Sequence, residues 1–307
     1  MNPSIQKTFE LILLIFCFII PYLFLLPKVG DYFKKFFQKS FLSYLLGFIL
    51  FSSLPIFYDF LYNDLGWKVF IRIIYSSFLF FSFYSKSIQS IPFVQLFLYL
   101  VIFFPLDFDI LPGGAIILEG GIPLKSVVMG TVPVVLYLYS VVQPIQNIGN
   151  NEYGTTFEFN WKHFLYSFTA CIVLSGTVIP TSFYLDFVDF KKDVGTFGSF
   201  IVESVIFFLA VGIPEEMFFR VLFLYLWKRI FPNYSMFRYL IFSSIFFGLA
   251  HLITPTPGHP APNYTYCFLA TLYGLMYGAI YLKTKQLFHA ALVHTMVDSI
   301  WLHWFMI

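Results

Sequence analysis

Long apolar blocks, separated by short polar breaks, run the length of this chain. Ten stand out, at 9–27, 41–62, 66–84, 91–106, 124–142, 162–180, 197–227, 236–253, 264–282 and 286–306. A helix needs about 20 apolar residues to cross the hydrocarbon core of a bilayer, and most of these blocks reach that length. Block 91–106 is short, and block 197–227 is interrupted at Gly212 and Pro214. The pattern predicts an all-α fold, a polytopic transmembrane helical bundle of about eight to ten helices. The longer connectors, 107–123, 143–161 and 181–197, carry no repeat and no soluble domain. One continuous membrane domain is the expectation.

Composition agrees. The 307-residue chain is 59% hydrophobic and 11% charged, with a mean hydropathy of +0.80. Soluble domains are about a quarter charged, so lipid is the expected solvent and membrane lipids the expected neighbours. A net charge of +2 without a basic patch gives no reason to expect a nucleic-acid partner. The abundant Phe and Tyr residues are expected at lipid-facing and interfacial positions. Cys17, Cys171 and Cys267 lie inside apolar blocks without CxxC spacing, which argues against a disulfide framework or thiolate-bound zinc. The first block lacks a basic lead beyond Lys7 and a small-residue cleavage site, so it is expected to span rather than to be removed.

Basic residues orient the blocks. Lys28, Lys34, Lys35 and Lys39 follow the first block, and Lys86 follows the third. Lys228, Arg229 and Arg238 surround the connector after the seventh, and Lys283 and Lys285 follow the ninth. The 107–123 connector carries Asp107, Asp109 and Glu119 and no base. The positive-inside rule then puts alternate connectors in the cytoplasm and both termini outside.

Against this background the stretch Val211–Arg220, "VGIPEEMFFR", is out of place. An ionisable group at the centre of a spanning helix costs about 2.5–3.5 kcal/mol on insertion scales and is a functional candidate by default. Gly212 and Pro214 are expected to break the run, with a new helix starting near Pro214. Glu215 and Glu216 then fall in its first turn, where unsatisfied N–H groups and the dipole favour carboxylates. Glu216 and Arg220 are an i,i+4 pair suited to an internal ion pair. Glu215 points about 100° away, outside that pair. A supported glutamate beside one left for chemistry is the pattern of a positioned general base; the bland alternative is a buried charge network with a structural role alone.

Two further motifs follow. Phe247 and His251 lie one turn apart in "FGLAH", and His294 and Asp298 lie one turn apart in "HAALVHTMVD". Glu215, His251 and Asp298 are each 13 residues from a basic flank, at Lys228, Arg238 and Lys285. At 1.5 Å per residue that is about 20 Å, a common depth. A lone intramembrane histidine is more often a packing residue, but two on separate helices with polar companions shift the balance. Other polar groups receive ordinary readings: Glu203 faces Phe207, His289 is interfacial beside Lys285, His303 lies near the far end of the last helix, and His259 sits in a Pro-rich non-cytoplasmic loop.

In order, Glu215-Glu216-x-x-x-Arg220, Phe247-x-x-x-His251 and His294-x-x-x-Asp298 resemble the three motifs of the CPBP intramembrane proteases. That family includes type II CAAX prenyl endopeptidases and bacteriocin-processing or immunity proteins. The resemblance covers roughly 200–305; residues 1–195 are N-terminal helices without a motif, and 196–307 form the core that carries them. It implies a helical membrane fold with a polar cavity open to the cytosol. It also implies peptide hydrolysis in which Glu215 activates water, His251 orients it, and His294 with residue 298 stabilises the oxyanion. Arg220, Glu216 and Phe247 would be supporting residues. The implied partner is a membrane-associated peptide or protein, prenylated or not.

Two positions depart from the pattern. Asp298 stands where many members have Asn, and an ionised carboxylate cannot donate to an oxyanion. It is then protonated, or orients His294, or belongs to a cation site. Val221 stands where Gly often follows the arginine. Zinc on Glu215, His251, His294 and Asp298 is chemically feasible, but without HExxH a metal-free site is favoured and no cofactor is expected. Polar intramembrane clusters also serve transporters and non-catalytic partners in immunity. A transporter is disfavoured, because no second broken block pairs with Gly212–Pro214.

Overall fold

The computed structural model describes residues 159–306 continuously and, before them, residues 91–107 with short runs and single positions between 23 and 78. The chain divides into two compact units, Met1–Asn151 and Glu152–Ile307. In the first unit the short block 91–106 is a helix, α1 (Pro92–Asp107). Blocks 9–27, 41–62 and 66–84 lie largely outside the described residues, and so does 124–142 with the 107–123 and 143–158 connectors.

In the second unit each apolar block is helical. Block 162–180 becomes α2 (Trp161–Tyr184), started by Asn160, whose Oδ1 accepts from the Lys162 and His163 amides. It packs on the two last helices, so it belongs with them although it falls in the stretch without motifs. Block 236–253 becomes α6 (Met236–Ala250), capped by Ser235. Block 264–282 becomes α7 (Tyr264–Thr284), capped by Asn263. Lys285, in the left-handed region at φ 58°, ends α7 and gives a two-residue link to α8 (Leu287–Trp304). The last block does not stay helical to residue 306: Phe305–Met306 (β2) pairs antiparallel with Asp189–Phe190 (β1). Among the described residues, two helices, α2 and α7, have the length and hydropathy to cross a membrane.

The largest departure from expectation lies between α2 and α6. The Gly212–Pro214 break does not occur. From Phe197 to Ile230 the chain stays helical through α3 (Phe197–Phe207), a π-turn (Phe208–Gly212), α4 (Ile213–Glu216), a second π-turn (Met217–Leu222) and α5 (Phe223–Ile230). Proline lacks an amide and its ring collides with the carbonyl four residues back. Widening the turn before it, so that the Ile213 amide reaches the Phe208 carbonyl five residues back, removes that collision without ending the helix. Glu215 and Glu216 are therefore mid-rod residues and do not sit on a free helix N-terminus.

Close approach holds the rod and helices together. A Cβ on Gly212 would lie 2.5 Å from Thr295 Oγ1 and 2.9 Å from the Ala291 carbonyl, so its absence lets the rod approach α8. On α6, a Cβ at Gly248 would collide with Thr271 Oγ1 and lie 2.5 Å from the Cys267 carbonyl of α7. Small residues at crossings of this kind are how helices pack where lipid removes the hydrophobic drive between them. Ala at position 248 must push α6 from α7, at about 1–3 kcal/mol for overpacking. Thermal unfolding in detergent should show a lower midpoint for Gly248→Ala. Gly176→Ala on α2, where no atom lies within 4 Å, should show none.

Candidate active site

The Glu216 carboxylate lies at the centre of the second unit, fully buried. Arg220 Nε, one turn along, donates to Glu216 Oε2 at 3.0 Å, as the i,i+4 spacing predicts. From α8, His294 Nδ1 donates to Glu216 Oε1 at 3.0 Å, a partner the spacing alone does not reveal. Arg220 Nη1 donates to Ser243 Oγ of α6 at 2.6 Å, and that hydroxyl donates to the Phe219 carbonyl at 2.7 Å. The guanidinium carbon stands 5.3 Å from the centre of the Phe247 ring. Its length is accommodated by α7: Gly274 and Gly278 face it, and a Cβ on Gly274 would come within 3.3 Å of Nη2.

With Glu216 anchored, neighbouring Glu215 turns toward a cavity of about 190 Å³. Glu215, His251, His294 and Asp298 all line it, together with Phe247. His294 Nε2 is 3.3 Å from Asp298 Oδ2 and 3.8 Å from Glu215 Oε2. Side-chain exposures of 35% for Glu215 and 30% for Asp298, against 3% for His294, put both carboxylates at the open side and the ring behind them. His251 is not inside α6 but caps its end. Its Nδ1 lies 2.8 Å from the Phe247 carbonyl. A carbonyl only accepts, so Nδ1 carries the proton and Nε2 of the neutral ring is an acceptor.

Aromatic rings set the orientation of both imidazoles. Tyr277 stacks on His294 at 4.5 Å and 17°, and Phe247 meets the same ring edge-on at 5.5 Å. Tyr266 meets His251 at 4.6 Å. Tyr266, Ala270, Tyr273 and Tyr277 line the cavity from one face of α7 at i, i+4, i+7 and i+11. The expectation of lipid-facing tyrosines therefore fails for these three, though not for exposed Tyr264 on the same helix, and the helical spacing of Tyr266, Tyr273 and Tyr277 was the signal available. Asn263 supports Tyr266: its amide donates to the Thr254 carbonyl (3.1 Å) and Thr256 Oγ1 (3.0 Å), tying the Pro-rich loop, while its Oδ1 accepts from the Tyr266 amide (2.9 Å).

Other histidines lie elsewhere. His289 is fully buried beside Ser167 and His163, where α2 covers it, which the adjacent Lys285 could not indicate. His303 Nδ1 donates to Glu203 Oε2 at 3.0 Å, tying the end of α8 to the middle of α3; Glu203 has this partner in addition to any contact with Phe207. Among the described residues no three His, Cys, Asp or Glu side chains are grouped to hold a metal ion.

Residues 197–300, about a third of the chain, match the family described as Type II CAAX prenyl endopeptidase Rce1-like. The match covers most of the segment that builds the cavity and supports the CPBP/CAAX protease family, a membrane-embedded family, and coarsely a CAAX-type protease function. No curated protein and no solved structure matches the chain.

The buried triad makes a stability prediction. Arg220→Met leaves the Glu216 carboxylate in the interior with one ion-pair partner removed, a loss of about 3–5 kcal/mol. Glu216→Gln with Arg220→Met removes both charges and should recover part of that loss. Unfolding in detergent compares the two, and equal stability of the single variant and wild type would remove the pair from the structure's support.

Proposed function

We propose that the second unit is an intramembrane endopeptidase, hydrolysing a peptide bond of a membrane-associated substrate with water activated by Glu215. The observation that carries this is the convergence of Glu215, His251, His294 and Asp298 on one cavity. A water in it donates one proton to the His251 Nε2 acceptor and the other toward the Glu215 carboxylate. Its oxygen attacks the scissile carbonyl, and Glu215 takes the proton. The negative charge that develops on the substrate oxygen meets His294, whose Nδ1 is held by Glu216, so Nε2–H is the donor in reach. Glu215 then returns its proton to the leaving nitrogen as the carbon–nitrogen bond breaks.

Asp298 resolves its departure from the family pattern in this scheme. An ionised carboxylate 3.3 Å from Nε2 accepts that N–H before substrate binds and so orients the ring, then yields the N–H to the substrate oxygen as its charge develops, itself donating nothing to the oxyanion. The reaction runs without a metal, and the cavity opens to the cytoplasm of a multi-pass bundle surrounded by lipid, as the basic connectors imply.

Glu215→Gln keeps the shape and removes the base. It should lower cleavage of a labelled farnesylated peptide panel by on the order of 10²–10⁴-fold while staying folded. Undiminished turnover would remove the glutamate from the mechanism. Asp298→Asn, whose amide oxygen can still accept, should keep more activity than Asp298→Ala, which should lose about tenfold. A chelator should leave wild-type cleavage unchanged, and loss restored by zinc would reverse the metal-free reading.

A further inference from the structure

Beyond the reacting groups, the cavity is lined by polar side chains that the chemistry above does not use, and two of them share one wall. Tyr273 of α7 and Trp301 of α8 both line it, and each is only 6% exposed. Neither the Tyr273 hydroxyl nor the Trp301 indole nitrogen makes a well-formed hydrogen bond among the described residues; the Trp301 N–H leans weakly toward the Tyr273 oxygen, an arrangement that leaves the Tyr273 O–H without an acceptor. Their rings meet edge to face at 5.4 Å. A buried donor without a partner costs about 1–3 kcal/mol, so two lining one wall call for an acceptor.

Their position relative to the reacting groups follows from the helices. Tyr277 faces His294 while Tyr273 faces Trp301, so α7 and α8 run antiparallel. Tyr273 is one turn before Tyr277, and Trp301 is three residues after Asp298. Both steps lead the same way, roughly 5 Å along the cavity from the His294–Asp298 pair. One residue of an extended peptide spans about 3.3 Å, so a peptide whose scissile bond lies at Glu215 brings a neighbouring backbone carbonyl to this wall.

Charge decides which acceptor it takes. Glu215 and Asp298 line the same cavity, and no Lys or Arg does. Arg220 is buried behind Glu216. A free carboxylate here would face two carboxylates, and the His294 ring in the lining already faces Glu216 and Asp298, whereas a neutral amide carbonyl meets no such repulsion.

We propose that Tyr273 Oη–H and Trp301 Nε1–H form a carbonyl-docking subsite. It grips the substrate backbone one residue from the scissile bond and favours an internal amide over a terminal carboxylate at that position. These are positioning residues, and the proposal rests on the endopeptidase reading of the same cavity.

The test uses the full-length protein in detergent and a cleaved member of the farnesylated peptide panel, its cut site located by mass spectrometry. Two analogues of that peptide replace the amide on either side of the cut, in turn, with an alkene, which keeps the extended shape and removes the carbonyl. Wild type should cleave one of the two analogues roughly tenfold less efficiently in kcat/KM than the parent peptide. Tyr273→Phe with Trp301→Phe keeps both rings and removes both donors. It should cleave the parent about as poorly as wild type cleaves that analogue and lose the discrimination between them. A merely structural role would lower both rates and leave their ratio intact. Wild-type indifference to both alkenes, or a ratio unchanged in the variant, overturns the subsite while the endopeptidase reading stands. Absence of any cleavage by wild type overturns both.

Discussion

A single buried carboxylate organises the second unit. Glu216 has no access to water, and an isolated charge in such a place costs far more than a fold can tolerate. Its two oxygens are met by Arg220 from the same rod and His294 from α8, and Arg220 is in turn held by Ser243 of α6. Three helical segments thus meet at one charge. Moving any of them leaves a buried ion incompletely met, so the arrangement resists small displacements more than apolar contact alone would.

That constraint also positions the chemistry. Glu215 is covalently next to the anchored residue and so inherits its placement, while the helical rotation between neighbours turns it toward the cavity. His294 is fixed by its Nδ1 contact with Glu216, and its other nitrogen faces Asp298 and Glu215. Tyr277 and Phe247 hold the ring plane from the face and the edge. Two adjacent glutamates of identical chemistry are thus given different surroundings: Glu216 is buried and met on both oxygens, and Glu215 lines the cavity where the proposed base would act.

Room for this arrangement comes from backbone devices. The π-turns before and after Ile213–Glu216 keep a proline-containing rod continuous. Gly212 brings that rod against α8, and Gly274 with Gly278 opens a channel for the arginine along α7. The remaining histidines show how little residue type alone says. His289 packs between α2 and α8, and His303 pairs with Glu203 at the end of the last helix. Neither lines the cavity.

From its apolar blocks and three spaced motifs, the sequence by itself determined the helices of the second unit, the Glu216–Arg220 pair and the candidate residues Glu215, His251, His294 and Asp298. Each of these follows from local rules: block length, i,i+4 spacing and the cost of charge in an apolar run. Only the tertiary structure decided that Pro214 does not end its helix, because the compensating π-turn depends on how the rod packs against α8. The same is true of Glu216 meeting His294, of α7 tyrosines turning inward and of His289 being buried. Those contacts join residues far apart along the chain, and periodicity gives the face of a helix without saying which other helix covers it.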